Sequence, residues 1–144
     1  MFGRIARTIA LAAVVAVVVT RPASAEIITF TVSLSGAVQV PPAATGGAGT
    51  LSAQYDTQTR LLVWLVTYSG MTGPPTAAHF HGPADVGANA GVVIPLEGGL
   101  SSPITGQATL TPEQAADLMA GRLYLNIHSA AFPGGEIRGQ LLRP

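Results

Sequence analysis

Past residue 26, apolar and polar positions alternate in short runs, with the period of two that belongs to strands rather than the 3.6 of helices. Ile28, Phe30, Val32 and Leu34 alternate with Thr29, Thr31 and Ser33, which predicts a strand with one face on a core. Val40-Pro41-Pro42 and the run Ala43 to Gly49 interrupt pairing and predict a loop. Leu51, Ala53 and Tyr55 predict a second strand, and Asp56 to Thr59 a turn. Leu61 to Tyr68 is apolar on both parities, so a central strand covered on both sides is expected, with Trp64 in the core. Further strands are expected at Ala78–His81, Val92–Leu96, Ile104–Leu110, Leu123–His128 and Ile137–Leu141, with a long connection from Gly82 to Gly91. The last two lie close enough in sequence to pair as a hairpin with a shared polar face.

One segment departs from this period. Thr111 can cap a helix that begins at Pro112; Gln114 completes a capping box, and Gly121 closes the far end. With no internal repeat and no linker, the pattern predicts an all-β protein. The expected architecture is an antiparallel, Greek-key-like sandwich or barrel with one short crossover helix over 112–120.

The first 25 residues stand apart. Arg4 and Arg7 precede an unbroken apolar run of eleven residues, Ile9 to Val19, and Ala23-Ser24-Ala25 has the small-x-small form of a cleavage site. The run is shorter than the roughly 20 residues a spanning helix needs. A secretory signal peptide over 1–25 is therefore expected, followed by one domain over 26–144 that is periplasmic or secreted, with no membrane attachment after cleavage.

Charge and cysteine content narrow the function. Residues 26–144 carry four arginines, no lysine and seven carboxylates, a net charge of −3, so a nucleic-acid partner is not expected. The chain has no cysteine, which removes disulfides and every thiolate metal site, blue-copper centres included. Any metal must sit on imidazole, oxygen, thioether or water.

The three histidines supply such a set. His79 and His81, two apart on one strand, share a face, and His128 lies on the polar parity of another, so an ion held by His79, His81 and His128 is the sharpest reading. Copper is the expected metal, with zinc as the alternative, because copper binds most tightly among the first-row divalent ions. The plain alternative is that these are surface or network histidines. Four other side chains are candidates to complete or orient the site. Asp85 could swing in from its loop or merely stabilise a turn. Glu136 could reach the metal or form a cross-strand pair with Arg138 or another arginine. Asn126 could orient a ligand or cap a strand end, and Met71 could be a soft axial ligand. Met119, on the helix, is expected to fill the core. No serine has a histidine–aspartate partnership, so no catalytic nucleophile is implied, and the Gly46-Gly47-Ala48-Gly49 segment lacks the strand-to-helix context of a phosphate loop.

Three ordered motifs resemble a known family. Leu34-Ser35-Gly36-Ala37 through Val40-Pro41-Pro42, Ala78-His79-Phe80-His81-Gly82-Pro83, and Leu123 to His128 followed by Pro133-Gly134-Gly135-Glu136-Ile137-Arg138-Gly139-Gln140-Leu141 resemble the CHRD domain, named after chordin. The family also occurs as single exported units in bacteria. The resemblance implies a Greek-key-like β fold and little about activity. The chain departs from the family pattern at Gln39, where glutamate often precedes Val-Pro-Pro. The His79-x-His81 strand is also similar to the copper strand of copper/zinc superoxide dismutases, but no histidine is left for a second, zinc-holding loop. Three functions are thus in view: a mononuclear copper protein for binding, delivery or redox work; a non-enzymatic module that presents its loops to another protein, a second copy of itself or the cell surface without metal; and a dismutase-like copper enzyme.

Overall fold

In the computed structural model, residues 24–144 are described; the expected signal peptide falls almost wholly outside them. Among the described residues the alternating runs form eight strands: β1 (Ile27–Ser35), β2 (Ala48–Asp56), β3 (Leu61–Ser69), β4 (Pro75–His81), β5 (Val92–Pro95), β6 (Ile104–Thr109), β7 (Tyr124–Ser129) and β8 (Ile137–Gln140). They make one sheet in the order β5-β4-β7-β8-β1-β2-β3-β6, every neighbour antiparallel. The sheet curls into a nearly closed barrel. β4, β5 and β6 follow in sequence around the seam, and β7 returns to lie beside β4, the strand order of a Greek key.

The inward positions make one core. Phe30, Leu51, Leu62, Val66, Phe80, Leu125, Ile127 and Ile137 are fully buried, contributed by β1, β2, β3, β4, β7 and β8 in turn. Trp64 lies where β6 and the short β5 approach each other. Its indole covers Gly106, where a Cβ would strike the ring, and it meets Phe80 edge-on with ring centroids 5.2 Å apart.

β3 differs from expectation. Leu62, Trp64 and Val66 point inward, but Val63 and Leu65 remain 41% and 45% exposed. A single-layer barrel has one interior, so nothing packs on the outside of β3, and the apolar run on both parities does not mark a strand covered twice. The helix α1 (Pro112–Met119) forms with its full capping box, Thr111 Oγ1 accepting from the Gln114 N–H and Gln114 Oε1 accepting from the Thr111 N–H. It buries Ala115 and Leu118, and Gly121 closes it at φ +72°.

β7 also departs from simple alternation, since all six of its residues are buried. Its inward face, Leu125 and Ile127, belongs to the core. Its outward face, Tyr124, Asn126 and His128, is roofed by the loops after β1, β4 and β7. Asn89 Nδ2 donates to the Val40 carbonyl, Gln140 Nε2 to the Ala84 carbonyl, and Gln39 Nε2 to Asn126 Oδ1.

Candidate metal centre

Direct pairing of β4 with β7 assembles the site. His79 lies opposite Asn126, His81 opposite Tyr124, and Ala77 opposite His128, so His128 is a diagonal neighbour of His79 on the outward face. Ala78 and Phe80 turn inward from the same strand and anchor it in the core, which fixes the direction of the two histidines between and after them. β8 continues the face, with Arg138 opposite Asn126 and Gln140 opposite Tyr124.

One ring nitrogen from each histidine lies within 4.8 Å of the others. His79 Nδ1 and His128 Nε2 are 3.3 Å apart, and the ring centroids of His79 are 5.1 Å from His128 and 5.5 Å from His81. At metal–nitrogen distances of about 2.0–2.1 Å, a 3.3 Å separation corresponds to a near-tetrahedral angle. Three nitrogens held by one ion at that distance stand about 3.3–3.6 Å apart, so a contraction of at most about 1.5 Å from the 4.8 Å limit brings all three into range.

Backbone carbonyls fix the tautomers. His81 Nδ1 is 3.0 Å from the Ala90 carbonyl and His128 Nδ1 is 2.9 Å from the Pro133 carbonyl. A carbonyl only accepts, so both Nδ1 atoms carry the proton and both Nε2 atoms present lone pairs. His81 Nε2 is buried without any hydrogen-bond partner, an orphaned acceptor of the kind a bound cation satisfies. Facing the bare Nε2 of His128, His79 Nδ1 holds its proton in the metal-free protein. For His79 to offer Nδ1 to a cation, that proton must pass to its own Nε2 or to solvent, which is open to it because His79 is the least buried of the three.

The surroundings of His79 and His81 disfavour their charged forms. Burial lowers the His79 pKa below its usual value, and the nearby His128 adds to this. His81 is lowered chiefly by burial, against the opposing pull of the Ala90 carbonyl, with His128, His79 and Arg138 contributing repulsion. Neutral imidazole is the form that binds metal.

Residues that the strand pattern alone did not mark hold these histidines in place. The Tyr124 ring stacks on His81, centroids 5.0 Å apart and 9° from parallel, and its hydroxyl both accepts from the Ala90 N–H at 3.0 Å and donates to the Ala90 carbonyl at 3.2 Å. Arg138 covers the Tyr124 ring, its Cζ 3.5 Å from the centroid. The only hint in the sequence was parity, since Tyr124 and Arg138 share the outward face with Asn126.

The additional candidates fall in different places. Asn126 Nδ2 donates to the Gly134 carbonyl at 3.1 Å, which positions the loop whose Pro133 carbonyl orients His128. Asp85 is exposed, and its backbone carbonyl accepts from Ala88 in a turn. Glu136 is fully buried and does not pair with Arg138. One of its oxygens, Oε1, accepts from the Thr45 hydroxyl and from the Thr72 N–H and hydroxyl. Burial alone would raise its pKa, but hydroxyls of Ser129, Thr45 and Thr72 and the Thr72 N–H outweigh that and lower it. Met71 packs on the core with its sulfur beside Gly47. Among the described residues, the cluster of histidines and carboxylates able to hold a metal consists of His79, His81 and His128, without Asp85 or Glu136.

A profile of the CHRD domain matches residues 30–141, nearly all of the barrel. No curated protein and no solved structure matches the chain.

Proposed function

The chain belongs to the CHRD domain family, and from that premise we propose that it is an exported metal-binding protein in which His79, His81 and His128 hold a single copper ion. The observation that carries this reading is the pair of carbonyl-fixed tautomers, which leave the Nε2 atoms of His81 and His128 free of backbone partners within one cluster of three histidines. Building that arrangement around ligands of no use would leave an unsatisfied acceptor for no gain.

Copper is favoured over zinc by its greater affinity for a nitrogen set, and the lack of cysteine leaves no thiolate to shift the preference. Three imidazoles leave room at the ion for a further ligand, which suits binding, delivery or redox work. The apolar run before the cleavage-like Ala23-Ser24-Ala25 supports export. Among the described residues no helix is long and apolar enough to cross a membrane.

Metal analysis of protein isolated from the exported fraction, with no metal added, tests this reading. Near-stoichiometric copper on a chain beginning at Glu26 is expected. Absence of metal that persists after incubation with copper overturns the reading, and full occupancy by zinc with no copper replaces the metal.

A further inference from the structure

The loop that roofs the histidines also walls a second space. A cleft of about 320 Å³ runs over the outside of β1 and β8, lined among others by Thr31, Ser33, Val38, Val86, Arg138 and Leu142. Val38, Val86 and Leu142 are 51%, 69% and 56% exposed, three of the seven large apolar side chains that stand in solvent among the described residues. Scattered single exposures are ordinary; three around one cleft are not.

At this cleft sits an uncompensated cation. Arg138 is only 2% exposed, yet its guanidinium contacts are all uncharged: Nη1 donates to Asn89 Oδ1 at 2.8 Å, Nη2 donates to the Ala88 carbonyl, and Cζ lies over the Tyr124 ring. The salt bridge found among the described residues is Arg122–Asp117, so no carboxylate lies within 4.0 Å of Arg138. A buried guanidinium without a counter-ion is costly, and its five N–H donors exceed the two hydrogen bonds it makes.

We infer that this cleft binds a small organic monocarboxylate, with Arg138 receiving the carboxylate and Val38, Val86 and Leu142 covering a short apolar body. A single planar guanidinium matches one carboxylate, whereas a multiply charged phosphate lacks further cations here. The cleft is at the small end of ligand sites, and its apolar rim disfavours a bare inorganic anion. Arg138 adjoins the histidines through the Tyr124 ring that stacks on His81, but the inference does not rest on their binding metal.

The test is a titration of the metal-free protein with hexanoate, followed by NMR at the Arg138 Nε–H and the Val86 and Leu142 methyl groups. Saturable shifts at all three are expected with hexanoate, and none with hexanol or inorganic phosphate at the same concentrations. Val86→Glu, at an exposed position that folding tolerates, offers Arg138 a tethered competitor and should weaken hexanoate about tenfold. Val86→Gln has the same size without the charge; it gives up the same apolar contact, so it should bind hexanoate more weakly than the parent but more tightly than Val86→Glu. Failure to saturate overturns the inference. So do equal binding of hexanol, which would make the cleft merely apolar, and equal behaviour of the two variants.

Discussion

Replacing His81 with alanine is expected to remove one-to-one copper binding, with a loss of affinity of about a hundredfold or more, above the 10- to 100-fold carried by residues that only orient ligands. The argument lies in the ring's two nitrogens. Nδ1 is committed to the Ala90 carbonyl, and Nε2 is buried with no partner in the protein. Removing the ring leaves His79 and His128, whose 3.3 Å pair cannot by itself saturate a copper ion. The change also removes the Nδ1 bond to the Ala90 carbonyl and the stack on Tyr124 but leaves the apolar core intact, so circular dichroism should still show a folded barrel in the metal-free variant. His79→Ala, at the more open position, gives a second variant with still less risk to folding. Copper titration of both reads the effect; unchanged stoichiometry and affinity in His81→Ala would remove His81 from the ligand set.

Gly135→Ala is expected to be the most damaging single-methyl change in the loop beside the site. Gly135 has φ +125°, a region L-residues avoid, and its new Cβ would fall on the Asn126 carboxamide. That amide bonds Gln39 and the Gly134 carbonyl, so displacing it strands buried polar groups as well as straining the backbone. A cost of about 3 kcal/mol follows, seen as a fall in Tm of about 10 °C or more. Copper affinity should fall about tenfold with it, because the Pro133 carbonyl that orients His128 is in the same loop. The neighbouring Gly134→Ala is the control: a Cβ there meets nothing within 4 Å, and the effect should stay within about 0.5 kcal/mol. Similar Tm values for the two variants would show that the Asn126 amide does not hold this loop.

Much of this molecule can be read from its alternation. The strand at Ile28–Leu34, the Thr111–Gln114 capping box and the common parity of His79, His81 and His128 are local patterns, and the fold keeps them. What local pattern could not supply is how far the sheet closes. β3 has apolar residues on both parities, yet closure into a barrel leaves Val63 and Leu65 in solvent. Glu136 and Arg138, two apart on the last strand, looked like partners; loops far off in sequence take them instead, through Thr45 and Thr72 for one and Ala88 and Asn89 for the other. The carbonyls of Ala90 and Pro133, which decide the histidine tautomers, belong to backbone and leave no mark on residue type. Distant loops thus define the site as much as the strands that carry its histidines.

Electron paramagnetic resonance of the unaltered protein, titrated with Cu(II) to one equivalent, tests the histidine site most directly. The account predicts a single copper signal that saturates at one ion per chain, with hyperfine splitting from imidazole nitrogens of His79, His81 and His128 that is altered when His81 is alanine. A signal of weakly held aqueous copper that never saturates, or one unaffected by that substitution, would contradict it.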